Sequence, residues 1–294
     1  MQSIAASFTH YYRAFIRHAS RHIKRAITYL ILSIGGAVIL LPFFWMISSS
    51  LKKQWDVYHF PPVWIPNPPQ WQNYVDALTV YPFHLYLLNT STIVVLTCLG
   101  TVLSCSLAGY GFSRLRAPGR DVIFVLLLST MMLPYTVTMI PLFMLFNKLR
   151  WVDTFRPLIV PAFFGNAFSV FLLRQFFLTI PRELEDAARI DGCSSLMIYW
   201  RIVLPLSTPA LATVAIFQFM GSWNDFLGPL IYLSDEGHRT VALALAYFQG
   251  SARVGPQMHL MMAVAFVALI PPLLLYFFAQ RLFIQGIVFT GVKG

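Results

Sequence analysis

Six stretches that are long, apolar and free of charged side chains decide what this chain can fold into. They cover residues 26–51, 77–113, 122–147, 157–173, 202–224 and a run within 254–280. In the second, the spanning part starts near Leu85; the fourth is short, and the fifth continues past Asp225 to Leu233. A bilayer core about 30 Å thick takes roughly 20 helical residues at about 1.5 Å each, so each stretch reads as a transmembrane helix. Barrel strands are excluded, because the runs are apolar all round and exceed the roughly 9–11 alternating residues of such a strand. Of 294 residues, 57% are apolar and only 11% charged, against about 25% charged in a soluble domain. Three cysteines are too few for a disulfide scaffold, and 26 Phe argue against disorder. The fold class is an all-α membrane protein with six transmembrane helices. No internal repeat or low-complexity linker divides it, so residues 1–25 form a basic tail and 26–294 a six-span domain.

The net charge of +10 would point to nucleic acid in a soluble protein. Here the basic residues sit at the ends of the apolar segments, so no nucleic-acid partner is expected. With the amino terminus placed inside, the inner segments carry 14 of the 21 Lys and Arg and the outer ones 7. The inner set includes Arg13, Arg17, Arg21, Lys24, Arg25, Arg114, Arg116, Arg120, Arg182, Arg281 and Lys293; the outer set includes Lys52, Lys53, Arg239 and Arg253. Both termini are then cytoplasmic under the positive-inside rule. The first span is too long for a signal h-region and has no evident cleavage site. His10, His18 and His22 in the tail alternate with Arg and Lys, which fits a solvated or lipid-headgroup-facing segment better than a metal site.

Between the first two spans lies an outer loop rich in Pro and Trp, read as semi-rigid and extended. Its Trp55, Trp64, Trp71 and Tyr74 suit either the membrane interface or a docking surface for an outside partner. Pro134, Pro141, Pro205, Pro209, Pro229 and the Pro271-Pro272 pair interrupt the third, fifth and sixth spans, and each frees a backbone carbonyl that needs another partner. Asp225 is the one acid well inside an apolar stretch, close to Gln218 and Asn224. It is read either as a translocation path or gate residue or as a structural acceptor for donors freed before Gly228-Pro229. Cys98 and Cys105 are packing residues, Cys193 stays reduced in the cytoplasm, and His84, His238 and His259 show no ligand spacing.

The cytoplasmic loop between the fourth and fifth spans is different. Four of the chain's eleven acids, Glu183, Glu185, Asp186 and Asp191, fall within it. Pro181 followed by acids predicts a helix start, since the ring suits the first turn and negative charge suits the dipole. Leu184, Ala187 and Ala188 are spaced to share one face, with Arg182, Glu185 and Arg189 on others. Asp191-Gly192 supplies the stop, and a second short helix begins near Ser194. Four acids beside two basic residues would not be drawn to anionic lipid, so the helix is read as a docking surface for a protein partner.

Asp186-Ala187-Ala188, Gly192, nine residues, then Ile202-Val203-Leu204-Pro205 resembles the EAA motif of importer-type ABC transporter permeases, with Asp186 where that family usually has Glu. Trp45-Met46-Ile47-Ser48-Ser49-Ser50-Leu51-Lys52, Phe171 to Phe177, Trp223-Asn224-Asp225 and the stretch from Gln280-Arg281 to Gly294 are similar to the smaller maltose-type permease. The resemblance implies one membrane subunit of a carbohydrate importer in a prokaryotic cell membrane. It would pair with a second permease, two ATPase subunits and an extracytoplasmic solute-binding protein. Arg182, Glu183, Glu185, Asp186, Ala187, Ala188, Arg189, Asp191 and Gly192 would form the coupling helix, in which Glu185 and Asp186 make polar contacts with the ATPase. The chain has no G-x-x-x-x-G-K-[ST] phosphate loop, so ATP is expected to be used by the partner and no cofactor or metal is expected here. The alternative, a self-sufficient secondary transporter, would need intramembrane ion or proton sites beyond Asp225. An intramembrane enzyme would need H-E-x-x-H or G-x-S-x-G, and neither occurs.

Overall fold

The computed structural model describes the backbone of residues 2–248 and 257–291, and the side chains of residues 22–248 and 257–280. His10, His18, Arg13, Arg17, Arg21, Arg253, Arg281, Lys293 and the carboxy-terminal side chains named above lie outside the described side chains. Among the described residues the regular structure is all helical, without a strand. Four helices are long and apolar enough to cross a membrane, and six spans result when each of two bent helix pairs counts as one.

The chain divides into two compact units, residues 1–74 with 258–266 and residues 75–257 with 267–294. In the first, α1 (Gln2–Ser50) runs without a break through positions 25 and 26. The Pro-rich loop has no regular structure before α2 (Gln72–Thr79), yet it folds back on the end of α1. Ser48 Oγ donates to the Trp64 carbonyl at 2.5 Å, Trp64 meets Trp45 edge-on at 5.2 Å, and Asn73 Nδ2 donates to the carbonyls of Ser50 and Lys52, both at 2.8 Å. The loop is therefore not extended but pinned to the end of α1, through its own Trp64 carbonyl and through Asn73 of α2 on the Ser50 carbonyl. Lys52 is buried, its ammonium 3.7 Å from the Trp45 ring centroid, a cation–π arrangement that offsets desolvation.

The second unit is built around α3 (Phe83–Arg114). Its buried face alternates apolar with small polar residues: Tyr86, Thr90, Ile93, Val94, Thr97, Thr101, Cys105, Ser106, Gly109 and Tyr110. Small hydroxyls on this face satisfy themselves on the preceding turn: Thr90 Oγ1 donates to the Tyr86 carbonyl at 2.8 Å, Thr97 Oγ1 to that of Val94 at 3.0 Å and Ser106 Oγ to that of Leu103 at 3.1 Å. Such residues let helices approach closely where lipid supplies no hydrophobic drive. At Gly109, a Cβ would lie 3.2 Å from the backbone nitrogen of Arg174.

The third span is two helices, α4 (Arg120–Ser129) and α5 (Tyr135–Lys148), meeting at 100° across a 3-10 turn. Pro134 stands at the break with ψ 141°, extended, so the expected interruption is here. The fourth span starts at α6 (Arg156–Ile159), passes a 3-10 turn and left-handed Gly165 (φ 78°), and resumes as α7 (Ala167–Thr179), capped by Asn166 accepting from Ser169 N–H at 2.8 Å. It thus extends to Thr179, beyond the expected end at position 173. After α8 (Glu183–Ile190) come α9 (Ser195–Ile198), a π turn (Tyr199–Val203) and α10 (Leu204–Leu206). The chain then bends by 79° into α11 (Thr208–Trp223). Pro209 lacks the N–H that would donate to the Pro205 carbonyl, and the Thr208 hydroxyl donates to that carbonyl instead at 2.8 Å.

The fifth span does not continue through Asp225 to Leu233. It ends at Trp223, and a separate short helix, α12 (Leu227–Tyr232), follows. Next are α13 (Val241–Tyr247) and α14 (Met258–Gly291). Pro141 and the Pro271-Pro272 pair lie inside α5 and α14 without breaking them. In those two helices the expected interruption is absent, because the flanking turns carry the helix past the missing donors.

Candidate functional site

Helix α8 is entered through Arg182 at its N-cap, and the acids Glu183, Glu185 and Asp186 fill its first turn, where the helix dipole favours negative charge. It ends as the sequence demands. Asp191 N–H donates to the Ala187 carbonyl at 3.1 Å, Cys193 N–H to the Ala188 carbonyl at 2.9 Å, and Gly192 takes φ 84°, a left-handed value that costs glycine little. Ser194 then caps α9 by accepting from Met197 N–H at 3.3 Å. The helix is presented between two turns.

Its faces differ from the periodicity reading. Leu184 and Ala187 are exposed, together with Glu183, Asp186, Arg189, Asp191, Gly192 and Ile190, the last 87% accessible. Only Ala188 and Glu185 point inward. Glu185 is a correction to the expected set of outward contacts: its carboxylate is 3% exposed and lies 3.1 Å from Nε of Arg114, itself 2% exposed. The pull of a buried guanidinium outweighs the small apolar gain from burying Leu184. Arg189 reaches the second Glu185 oxygen at 3.6 Å and Asp186 at 3.1 Å. A cleft of about 440 Å³ opens beside the helix, lined by Arg114, Leu115, Arg116, Arg182, Glu185, Asp186 and Arg189.

Local spacing gave no sign of Arg114 as part of this site, since only the tertiary fold brings the end of α3 under α8. The same holds for the hydrogen bond between Ser106 Oγ and the Tyr199 hydroxyl at 2.6 Å, which ties α3 to the π turn before the fifth span.

The three residues expected near the path are not brought into one network. Gln218 donates to Ser222 Oγ at 2.8 Å, and Ser222 meets Thr97 Oγ1 at 3.0 Å on α3. Asn224 donates to the Met220 carbonyl of its own helix at 2.8 Å. Asp225 Oδ1 accepts from Gly228 N–H at 3.0 Å, at the start of α12. The structural role weighed for this carboxylate is thus present. It also lines a cavity of about 380 Å³ with Tyr135, Phe146, Pro157 and Tyr232, so a role on the path stays compatible with its place.

In the loop after the third span, Asp153 accepts from the backbone N–H groups of Ser234 and Asp235, both at 2.9 Å. These donors, with Asp235 foremost, hold its carboxyl below the usual range. His238 Nδ1 lies 3.5 Å from the same carboxylate. Among the described residues no group of three His, Cys, Asp or Glu side chains could hold a metal ion.

With this geometry in hand, likeness to known proteins can be placed on it. Residues 100–288 match the family described as binding-protein-dependent transport system inner membrane component. The arabinooligosaccharides transport system permease protein AraQ of Halalkalibacterium halodurans is 37% identical over 206 residues, 70% of this chain and 73% of that one. The sn-glycerol-3-phosphate transport system permease protein UgpE of Yersinia pestis is 32% identical over 266 residues, 88% of this chain and 94% of its own. Among solved structures, a bacterial ABC transporter involved in the import of the acidic polysaccharide alginate has a chain with the same fold. That chain has a TM-score of 0.79 at 24% identity, with 90% of this chain and 98% of that chain covered.

Proposed function

Because the chain belongs to the family of binding-protein-dependent transport system inner membrane components, we propose that it is one of two permease subunits of an ATP-driven importer for carbohydrate or a related polyol. Arabinooligosaccharides and sn-glycerol-3-phosphate, named for two relatives, support that class. Two ATPase subunits on the cytoplasmic side would use the ATP, a second permease would complete the path, and an extracytoplasmic solute-binding protein would deliver the solute. This chain itself binds no nucleotide on this reading. Both termini face the cytoplasm of a prokaryotic cell, as the distribution of Lys and Arg favours.

One observation carries the reading. Helix α8 is held between Pro181 and left-handed Gly192, so that Leu184, Asp186, Ala187 and Ile190 stand exposed on the segment that matches the EAA pattern. Ala187 leaves room for close approach, Glu183, Asp186 and Asp191 offer acceptors, and Leu184 and Ile190 supply apolar area. Arg182 and Arg189 flank this surface. Glu185 and Ala188 anchor it from beneath.

The test is co-purification from detergent-solubilised membranes. Wild type should bring down an ATPase and a second permease. A variant carrying Asp186→Arg and Ala187→Trp, both on the exposed face, should keep the permease and lose the ATPase by roughly tenfold or more, since truncating or blocking the centre of an interface is worth about 2 kcal/mol. Folded wild type that captures no ATPase overturns the importer reading.

Gln218, Asn224 and Asp225 are proposed to lie along or gate the path. Asp225→Asn keeps an oxygen acceptor for Gly228 N–H while removing the charge. It is expected to leave assembly intact and reduce uptake roughly tenfold, about 1.4 kcal/mol in the barrier. Loss of assembly with normal uptake in the surviving complexes would make Asp225 purely structural.

A further inference from the structure

Arg114 ends α3, and its guanidinium holds three elements together at once. Nε faces the Glu185 carboxylate on α8 at 3.1 Å, while Nη2 donates to the Ile180 carbonyl at 2.6 Å and to the Phe177 carbonyl. Those two carbonyls close the carboxy-terminal end of α7, where a helix leaves its last acceptors unsatisfied and carries partial negative charge. One buried cation therefore joins the cytoplasmic ends of the second and fourth spans to the docking helix.

The attachment of α8 to the membrane-spanning body is otherwise slight. Only Glu185 and Ala188 of this helix face inward, and Ala188 contributes a single methyl to the cluster formed by Tyr110, Phe177, Ile180 and Tyr199. At either end the chain turns, at Pro181 and at Gly192. Beyond the chain itself and the Ala188 contact, a displacement of the exposed face reaches α3 and α7 through the Arg114–Glu185 pair. Buried ion pairs of this kind are poor sources of net stability, and replacing both members by apolar residues is often neutral for folding. Their directional geometry is what an apolar pair lacks.

We propose that Arg114 is a positioning residue for coupling: through Glu185 it locks the docking helix to the second and fourth spans, so that motion imposed on α8 by the ATPase moves those spans as one body. This rests on the reading of α8 as the ATPase-docking helix. Glu183, Asp186 and Arg189 on the exposed side would meet the partner, while Arg114 and Glu185 would transmit.

The experiment uses the complete transporter, with its paired permease, ATPase and binding protein, in proteoliposomes, and reads solute taken up per ATP hydrolysed. A fall in the number of folded complexes lowers uptake and hydrolysis in proportion and leaves that ratio unchanged, whereas a broken clamp lowers the ratio. Glu185→Gln is expected to assemble normally and lower the ratio about tenfold, with Arg114→Gln doing the same. The double variant should lower the ratio no further than Arg114→Gln alone, because that variant already breaks the pair with Glu185 together with the contacts to α7. Arg114→Met with Glu185→Met fills the site with apolar side chains; it should be folded and equally uncoupled. A normal ratio in Glu185→Gln, or in the Met pair should the Gln variants not fold, overturns the proposal. The wild-type control separates the two readings: without ATPase capture and ATP-driven uptake the functional assignment itself fails, whereas a coupled wild type beside a coupled Glu185→Gln variant removes only the clamp.

Discussion

Gly109→Leu is expected to abolish accumulation of folded protein. At this position α3 and α7 touch through their backbones: a Cβ would lie 3.2 Å from the Arg174 nitrogen, 3.2 Å from Leu173 Cβ and 3.4 Å from Phe177 Cε2. A methyl alone requires the neighbours to yield by a few tenths of an ångström. The remaining carbons of leucine have nowhere to go except against the α7 backbone, which cannot rotate away as a side chain can. Overpacking of this kind costs about 3 kcal/mol or more, and in a bilayer no competing hydrophobic gain offsets the lost helix contact. The displacement would also disturb Arg114, five residues further along α3. Membrane yield and thermal stability in detergent should fall together, with Gly109→Ala intermediate. Wild-type yield and midpoint for the leucine variant would show that the two helices do not approach this closely.

The second large effect is expected at Gly192. Its φ of 84° lies where β-branched side chains are strained, although open space surrounds the position. Gly192→Val therefore introduces no clash and acts through the backbone alone, by about 1–3 kcal/mol. That energy is best relieved by opening the turn, which breaks the bond from Cys193 N–H to the Ala188 carbonyl and lets α8 tilt. Uptake should fall by roughly tenfold or more while ATP hydrolysis by the assembled complex continues. Gly192→Asn, which tolerates the left-handed region better, should recover much of the loss. Equal uptake for valine and glycine would count heavily against this turn as part of the coupling element.

Both variants lie in features that the sequence displays to different degrees. The Gly192 turn is a local property: a helix opened by Pro181 and acids and closed by Asp-Gly needs no distant residue to be read. The spacing of the EAA-like motif likewise survives intact in α8, α9 and the turn into the fifth span. Gly109 is different, because nothing in its neighbourhood distinguishes it from Gly111, which has open space where a Cβ would sit. Glu185 shows the limit most clearly. Helical spacing put Leu184, Ala187 and Ala188 on one face, yet Leu184 and Ala187 are exposed while Ala188 is buried beside a carboxylate that points in, because Arg114 waits beneath it. Proline positions were equally ambiguous: Pro134 and Pro209 mark bends, whereas Pro141 and the Pro271-Pro272 pair are carried inside continuous helices.

By itself, then, the sequence determined the membrane class, the approximate spans and the bounds of α8. These follow from hydropathy, the missing proline donor and glycine's backbone freedom, all of which act within a few residues. The tertiary structure alone decided which face of α8 is presented, where the third and fifth spans bend, and that one arginine gathers the ends of α3, α7 and α8. Those outcomes depend on burying a charge beside its counter-charge and on how closely two backbones can pack, and residues far apart in the chain settle both.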